Sequence, residues 1–258
     1  MADWNAEVYA RVSGPQFEWG QRVLERLPLD GDETVVDAGC GAGRLTELLL
    51  KRLPHGRVVA LDASEAMLRE ARGRLASFGE QVTFVRADLA THVERPPVDA
   101  VFSTATFHWV PDHDALFAGL HSTLRSGGLL VAQWGGGANL ARVRARTASL
   151  RASEAHAPFF VGFHEPWHYA SAEETQVRLG RAGFVDARAW LEHAPVRYTD
   201  ATGYREFLTH VILRDELPRL PDDEARRRYV DALVDLASRD DPPFELDYCR
   251  LNADARRG

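Results

Sequence analysis

Three acidic residues, each closing a short apolar run, have the clearest chemical use in this sequence: Asp37, Asp62 and Asp88. Asp37 stands just before the glycine loop Gly39-Cys40-Gly41-Ala42-Gly43. Glycines remove the Cβ atoms that would hold a ligand away from the backbone, so the loop can offer N–H donors at close range. Its spacing is G-x-G-x-G, whereas a dinucleotide loop calls for G-x-G-x-x-G; the place of that third glycine is Arg44. Asp62 ends Val58-Val59-Ala60-Leu61, where a carboxylate can accept both hydroxyls of a ribose. Ala63 and Met67 follow, apolar and suited to a purine edge. Asp88 closes a third run through Ala87 and can accept from an exocyclic amine, with the Leu89 backbone donating to a ring nitrogen. Strand-end acids also serve as plain N-caps of the next helix, and Ser64 and Glu65 keep that alternative open for Asp62.

Other groups carry weaker signals. His164-Glu165-Pro166-Trp167-His168 matches the zinc-protease pattern H-E-x-x-H. That pattern works only on a continuous helix, and Pro166 puts His164 outside one, so no metal site is expected. His164, Trp167, His168 and Tyr169 read instead as a mixed aromatic–polar loop. Arg142, Arg144, Arg146 and Arg151 suit a carboxylate ligand but more simply form a charged helix face in solvent. Arg226-Arg227-Arg228 beside Asp222-Asp223-Glu224 reads as solvated helix surface. Cys40 has no base beside it in sequence and reads as a small loop residue rather than a nucleophile.

Positioning these groups requires a sheet. Four apolar runs, Thr34–Ala38, Arg57–Leu61, Val82–Arg86 and Ala100–Ser103, alternate with helical patterns, and Leu129–Trp134 follows the turn Gly127-Gly128. Residues 16–27 have helical spacing, as do Leu45, Leu48, Leu49 and Leu53. This alternation predicts a parallel sheet with right-handed crossovers and helices on both faces. After Trp134 the rhythm breaks. A helix fits Ala172–Ala182, with Ser171 and Glu174 as a capping box and Gly183 at its end. Phe184–His193 reads as a sixth strand, residues 200–239 as two helices around Pro218 and Pro221, and Phe244–Leu251 as the final strand. With 258 residues and 45% hydrophobic content the chain can bury a full core. Its net charge of −7 argues against a broad nucleic-acid footprint, and its two cysteines imply no disulfide framework. No run approaches the roughly 18 apolar residues of a membrane span, and the N-terminus lacks a signal pattern, so a cytoplasmic protein is expected.

Val35–Leu50, Ala60–Leu68, Val82–Leu89 and Val98–Val131 together resemble the small-molecule branch of class I S-adenosylmethionine (SAM) methyltransferases. Asp3-Trp4-Asn5…Tyr9 and Phe107-His108-Trp109-Val110-Pro111-Asp112-His113 are similar to trans-aconitate methyltransferase and its relatives, which esterify small carboxylic acids. The resemblance covers about the first 135 residues well and the remainder poorly. It implies an α/β, Rossmann-like, seven-stranded, mostly parallel sheet with a helical cap over the carboxyl ends of the strands. Residues 1–135 would form the SAM-binding core with its N-terminal helix. Residues 136–258 would complete the sheet and cap it, within one structural domain. SAM would be held by Asp37, Gly39, Cys40, Gly41, Asp62, Ala63, Met67, Ala87, Asp88, Leu89 and Ser103. A small-molecule acceptor would meet Trp4, Tyr9, Trp109, Trp134 and Trp167. Trp109 could offer its face to the sulfonium or simply pack. His108 would serve as a base for a phenol or alcohol acceptor, whereas a carboxylate is already ionised and needs none. The expected activity is methyl transfer to a carboxylate oxygen. The alternatives are O-, N- or C-methylation of another metabolite with His108 assisting, a nicotinamide-dependent oxidoreductase, or a non-catalytic SAM-binding protein. Oligomeric state stays open.

Overall fold

β-Branched runs too short for helices set the centre of the molecule. A computed structural model of the chain describes residues 14–258. In it Val35 and Val36 lie at the heart of β1 (Thr34–Ala38), which is buried on both faces. It pairs in parallel with β2 (Arg57–Asp62) on one side and β4 (Val98–Thr104) on the other. β3 (Val82–Arg86) lies outside β2, and β5 (Leu124–Gly135) beyond β4. The sheet runs β3-β2-β1-β4-β5-β9-β6, with β6 at Phe184–His193 and β9 at Cys249–Arg257. Strand order reverses between β1 and β4, the place where open α/β sheets leave a crevice at the carboxyl ends.

The seven-stranded, mostly parallel sheet matches the expected fold, with one boundary corrected. The expected final strand, Phe244–Leu251, is divided. Its first part forms a two-residue strand, β8 (Glu245–Leu246), paired with β7 (Val196–Arg197). The true last strand, β9, starts at Cys249 and runs antiparallel between β5 and β6. Polar residues in its centre hide it from a hydrophobic pattern, because the structure satisfies them internally. Asn252 Oδ1 accepts from Gln133 at 2.9 Å and from Arg26 at 2.7 Å, and Arg26 also donates to Asp254 at 3.0 Å.

Helices cover both faces. Gly14–Glu25, Arg44–Lys51 and Glu65–Arg74 bury Val23, Leu49 and Leu68 on one side. His113–Thr123 and Ala172–Arg181 bury Phe117 and Leu179 on the other. Ser171 and Glu174 form the expected capping box. A third apolar cluster joins Trp19, Leu140, Tyr204, Phe207, Leu213, Tyr229 and Leu233. It is built by the helices Ala141–Ala152, Ala201–Phe207 and Asp223–Ser238 and forms the cap. Among the described residues no helix is long and apolar enough to cross a membrane.

The arginines of the first cap helix are not a solvent face. Arg144 and Arg151 both bond Glu165, at 2.6 and 3.0 Å, and Arg146 bonds Asp240 at 2.5 Å. Arg142 reaches Glu245 at 2.8 Å. Arg151 also reaches the buried Glu216, to which the Tyr229 hydroxyl donates at 2.7 Å. Their carboxylates come from distant segments, which is why sequence adjacency did not reveal the pairing. By contrast, Arg226 and Arg228 pair with Asp223 and Glu224 on an exposed face, as expected.

Candidate functional site

A cavity of about 820 Å³ opens at the carboxyl ends of β1 to β4, within the range of small-molecule sites. The glycine loop forms its floor. Gly39 has φ +88°, and a Cβ there would stand 2.1 Å from Thr106 Oγ1, so only glycine lets the loop approach the turn after β4. Gly41 has φ +53°, and its Cβ would meet no atom within 4 Å. Its missing side chain therefore leaves ligand space rather than packing room. The N–H groups of Gly39 and Cys40 donate to Leu61 O at 2.7 and 2.9 Å, tying the loop to β2.

Asp37 lies under the loop, 2% exposed, and accepts from Thr46 Oγ1 at 2.7 Å. Burial pushes its carboxyl up to about 7; the Thr46 bond opposes this, and the Asp62 charge adds to it. Asp62 Oδ2 accepts from Gly41 N–H at 2.9 Å and Oδ1 from Ser64 N–H at 2.8 Å. The same carboxylate thus fixes the loop and the start of the helix Glu65–Arg74, whose N-cap is Ser64. Asp88 Oδ1 accepts from Ala90 N–H at 2.9 Å, a bond that closes the turn after β3, and the residue also lies on the cavity wall. Ala63, Met67, Ala87 and Leu89 line the same wall. Cys40 lines it too, and burial first, with Asp37 and Asp62 nearby, drives its thiol well above the ordinary range, against a nucleophilic role.

A second chamber of about 40 Å³ adjoins the first, and Gln16, Ala105 and Trp109 line both. His108, Trp167 and Tyr169 form its aromatic wall. Trp167 stacks on Tyr169 at 5.9 Å and stands edge-on to Trp109 at 5.9 Å. The segment His164–His168 is a loop, not a helix; His168 N–H donates to His108 O at 2.8 Å, and Glu165 is held by Arg144 and Arg151. Among the described residues no group of three His, Cys, Asp or Glu is gathered to hold a metal. His108 is buried, and its Nδ1 accepts from Gly135 N–H at 3.4 Å. Burial, then the charges of Arg250 and His113, hold its pKa well below the ordinary value. The imidazole is therefore neutral with its proton on Nε2, a hydrogen-bond donor rather than an acceptor.

Two expected site residues are corrected. Ser103 does not line the cavity: its hydroxyl donates to Ala38 O at 2.6 Å, pinning β4 to β1. Trp134 is 0% exposed and packs among Phe107, His113 and Phe117 in the core. Trp4 and Tyr9 lie outside the described residues. The structure adds Gln16, Phe17, Arg44, Thr106 and Arg214 to the large cavity, and Asn139 and Arg250 to the small chamber. Arg44 lies over Phe17 at 4.1 Å and Arg214 over Trp109 at 5.0 Å. Ala105, which lines both spaces, has φ +54°, a left-handed conformation unusual for alanine. Its alanine gave no sequence signal.

Comparison with known proteins agrees with this geometry. The model of a methyltransferase domain matches residues 35–128, which carry the loop and all three acids. A trans-aconitate 2-methyltransferase of Rhodopseudomonas palustris is 35% identical over 178 residues, 69% of this chain and 63% of that protein. The enzyme of the same name from Methylobacterium radiotolerans is 32% identical over 240 residues, covering 90% of this chain and 88% of the relative. The fold is shared with Haemonchus contortus phosphoethanolamine N-methyltransferase 2, solved with S-adenosyl-L-methionine. The TM-score is 0.62 at 17% identity, over 98% of this chain and 57% of that one. With the G-x-G-x-G loop and a match along nearly its whole length, the chain belongs to the class I SAM-dependent methyltransferases, in the family of the bacterial trans-aconitate 2-methyltransferases.

Proposed function

We propose that this protein transfers the methyl group of SAM to a carboxylate oxygen of a small organic acid, forming a methyl ester, and that it acts in the cytoplasm. The residues present fit SAM. The open space over Gly41 admits its amino-acid end, with the Asp37 carboxylate beneath. Asp62 lines the cavity as an acceptor for the ribose hydroxyls, Ala63, Met67 and Leu89 supply apolar wall, and Asp88 on the same wall would accept from the adenine amine. When bound, SAM supplies an electrophilic methyl; the acceptor oxygen takes it as the carbon–sulfur bond breaks, and the electron pair stays on sulfur as a neutral thioether. The chain's own part is positioning and exclusion of water.

The observation that carries the acceptor class is the state of His108. Its Nδ1 is occupied by Gly135 N–H and its burial keeps it neutral, so it offers a proton and cannot collect one. A phenol or alcohol would need a base here, whereas a carboxylate arrives ionised and benefits from the donor. The likeness to trans-aconitate 2-methyltransferases supports the same class. The test is incubation with methyl-labelled SAM and a panel of small acids, phenols and amines. Base-labile label on acids alone is expected. Label on a phenol or amine overturns the carboxylate reading.

A further inference from the structure

We propose that His113, which lines neither cavity, is a positioning residue: through the Phe107 carbonyl and the ring of His168 it sets the spacing of the Trp109 and Trp167 indoles, and so how the acceptor meets the methyl donor. The proposal rests on the methyltransferase reading above and deepens it. Two segments meet between the large cavity and the small chamber. Trp109 lines both spaces; Pro166 lines the first and Trp167 the second. The two indoles stand edge-on at 5.9 Å. Trp109 ends the three-residue helix Phe107–Trp109, and Trp167 lies in a loop. One short helical turn and a loop do not fix such a spacing by themselves.

His113 supports both segments from behind. It opens the helix His113–Thr123, is 2% exposed, and packs against Phe117 at 5.7 Å and Trp134 at 6.2 Å. From this fixed place its Nε2 donates to the Phe107 carbonyl at 2.9 Å. The bond closes the segment 107–113 at its root, while Trp109, Val110 and Pro111 at its tip line the large cavity. Burial lowers the ring's pKa to about 4, so the imidazole is neutral, and its one proton sits on Nε2 because a carbonyl only accepts. The same ring meets that of His168 edge-on at 4.5 Å. His168 follows Trp167 directly, and its backbone N–H donates to the His108 carbonyl at 2.8 Å. One imidazole therefore touches both segments that carry the indoles, and the second histidine of the H-E-x-x-H pattern has a use that needs no metal. A phenylalanine at 113 would fill the same aromatic box but could not donate. The Phe107 carbonyl would keep its bond from Val110 N–H at 3.0 Å, so no buried acceptor would be stranded and the fold would lose little. Alignment is more sensitive: misplacing an orienting group by about 1 Å can cost on the order of a hundredfold in rate.

The test compares two variants of the full-length protein. His113→Phe keeps the ring and loses the donor; His113→Gln loses the ring and places an amide nitrogen where Nε2 stands. Turnover is measured with methyl-labelled SAM and the compound of the panel above that takes most label. His113→Phe should lower kcat at least about fivefold, the worth of one hydrogen bond, with S-adenosylhomocysteine affinity and melting temperature near wild type. His113→Gln should keep kcat within about twofold of wild type, since its bond to the carbonyl survives. NMR of nitrogen-labelled protein saturated with S-adenosylhomocysteine gives a readout without any acceptor. The indole N–H signals of Trp109 and Trp167, assigned through Trp109→Phe and Trp167→Phe, should move in His113→Phe and stay in place in His113→Gln. Unmoved indole signals or an unchanged kcat in His113→Phe overturns the proposal. So does an equal loss in both variants, which would mark a packing role. If His113→Phe fails to fold, His113→Asn takes its place, because its shorter amide does not reach the Phe107 carbonyl; equal kcat in the Asn and Gln variants then overturns the proposal. If no compound of the panel takes label, the functional reading fails, and the indole signals alone decide the role of His113.

Discussion

Replacing Asp62 tests the cofactor side most directly, because this one carboxylate has two jobs. It accepts from Gly41 and Ser64 N–H groups at 2.9 and 2.8 Å, and it faces the cavity where a ribose would lie. Two ribose hydroxyls donating to an ionised carboxylate contribute roughly 1.5–3 kcal/mol each. Asp62 is half-buried, so the lower end applies. The pair then gives about 3 kcal/mol, or on the order of a hundredfold in affinity. Asp62→Ala also strips acceptors from two backbone donors at the cavity edge, which water can reach, so a loss of about 1 kcal/mol in stability is expected. The two effects separate through the ligand. Calorimetry should compare S-adenosylhomocysteine with its 2′-deoxy analogue in both proteins. The wild type should prefer the full ribose clearly. Asp62→Ala should bind both ligands about equally and weakly. If the preference for the 2′-hydroxyl persists in a folded Asp62→Ala protein, Asp62 organises the loop and does not touch the ribose.

The glycines should divide by what their missing side chains avoid. Gly39→Ala drives a methyl into Thr106 and should lower the melting temperature of the ligand-free protein. Gly41→Ala should cost only about 1–2 kcal/mol for its left-handed backbone yet weaken SAM at least tenfold, as thermal shift with and without ligand would show. On the carboxylate reading kcat should stay flat from pH 6 to 9, and His108→Gln should lose only positioning; a histidine-dependent rise in kcat through that range refutes it. SAM affinity should behave differently. Asp37 titrates near 7 in the ligand-free protein, so binding of a cation beside it should strengthen as pH rises toward that value, and Asp37→Asn should abolish the slope. His113 adds a stability prediction. Burial lowers its pKa to about 4, below the unfolded value, so the unfolded chain takes up a proton that the native one refuses. Its contribution is full above about pH 6.5 and lost progressively as pH falls toward 4, amounting to about 3 kcal/mol. Asp37 has the opposite sign, its folded pKa being raised, so its contribution declines as pH rises from about 4 to 7. His113→Gln should therefore remove the acid sensitivity in urea titrations; an unchanged pH slope would show that His113 is not desolvated.

The wall of the large cavity was legible in the sequence because its residues are local. Asp37, Asp62 and Asp88 each follow an apolar run directly, and parallel β-strands must end on the same edge, so three strand ends in sequence become one wall in space. The glycine loop was legible for the same reason, since a spacing of two residues is a statement about one turn. Ser103 was misplaced by a single residue of the same logic. Strand side chains alternate faces, and the neighbours Thr104, Ala105 and Thr106 reach the cavity while Ser103 turns inward to Ala38. Trp134 failed similarly: its place at the end of β5 was read correctly, but its face was not.

The small chamber was illegible because its parts meet only through long-range pairing. His108 follows β4, Asn139 follows β5, Tyr169 precedes the helix Ala172–Arg181, and Arg250 sits in β9. Nothing in the spacing of these residues connects them. The strand that delivers Arg250 was also read with the wrong end, because a strand between β5 and β6 carrying Asn252 and Asp254 breaks the apolar pattern. Those polar residues are tolerated only because Arg26 and Gln133 cross the fold to meet them. The arginines that looked available for an acid, Arg142 to Arg151, are used to bind the cap together, and the guanidinium that reaches the chamber had no motif around it. Cofactor chemistry sits in contiguous loops that a sequence can display, while acceptor specificity is assembled from single residues on separate elements. That division is why the methyltransferase model matches residues 35–128, where the loop and the three acids lie, and does not reach the strand and loops that complete the small chamber.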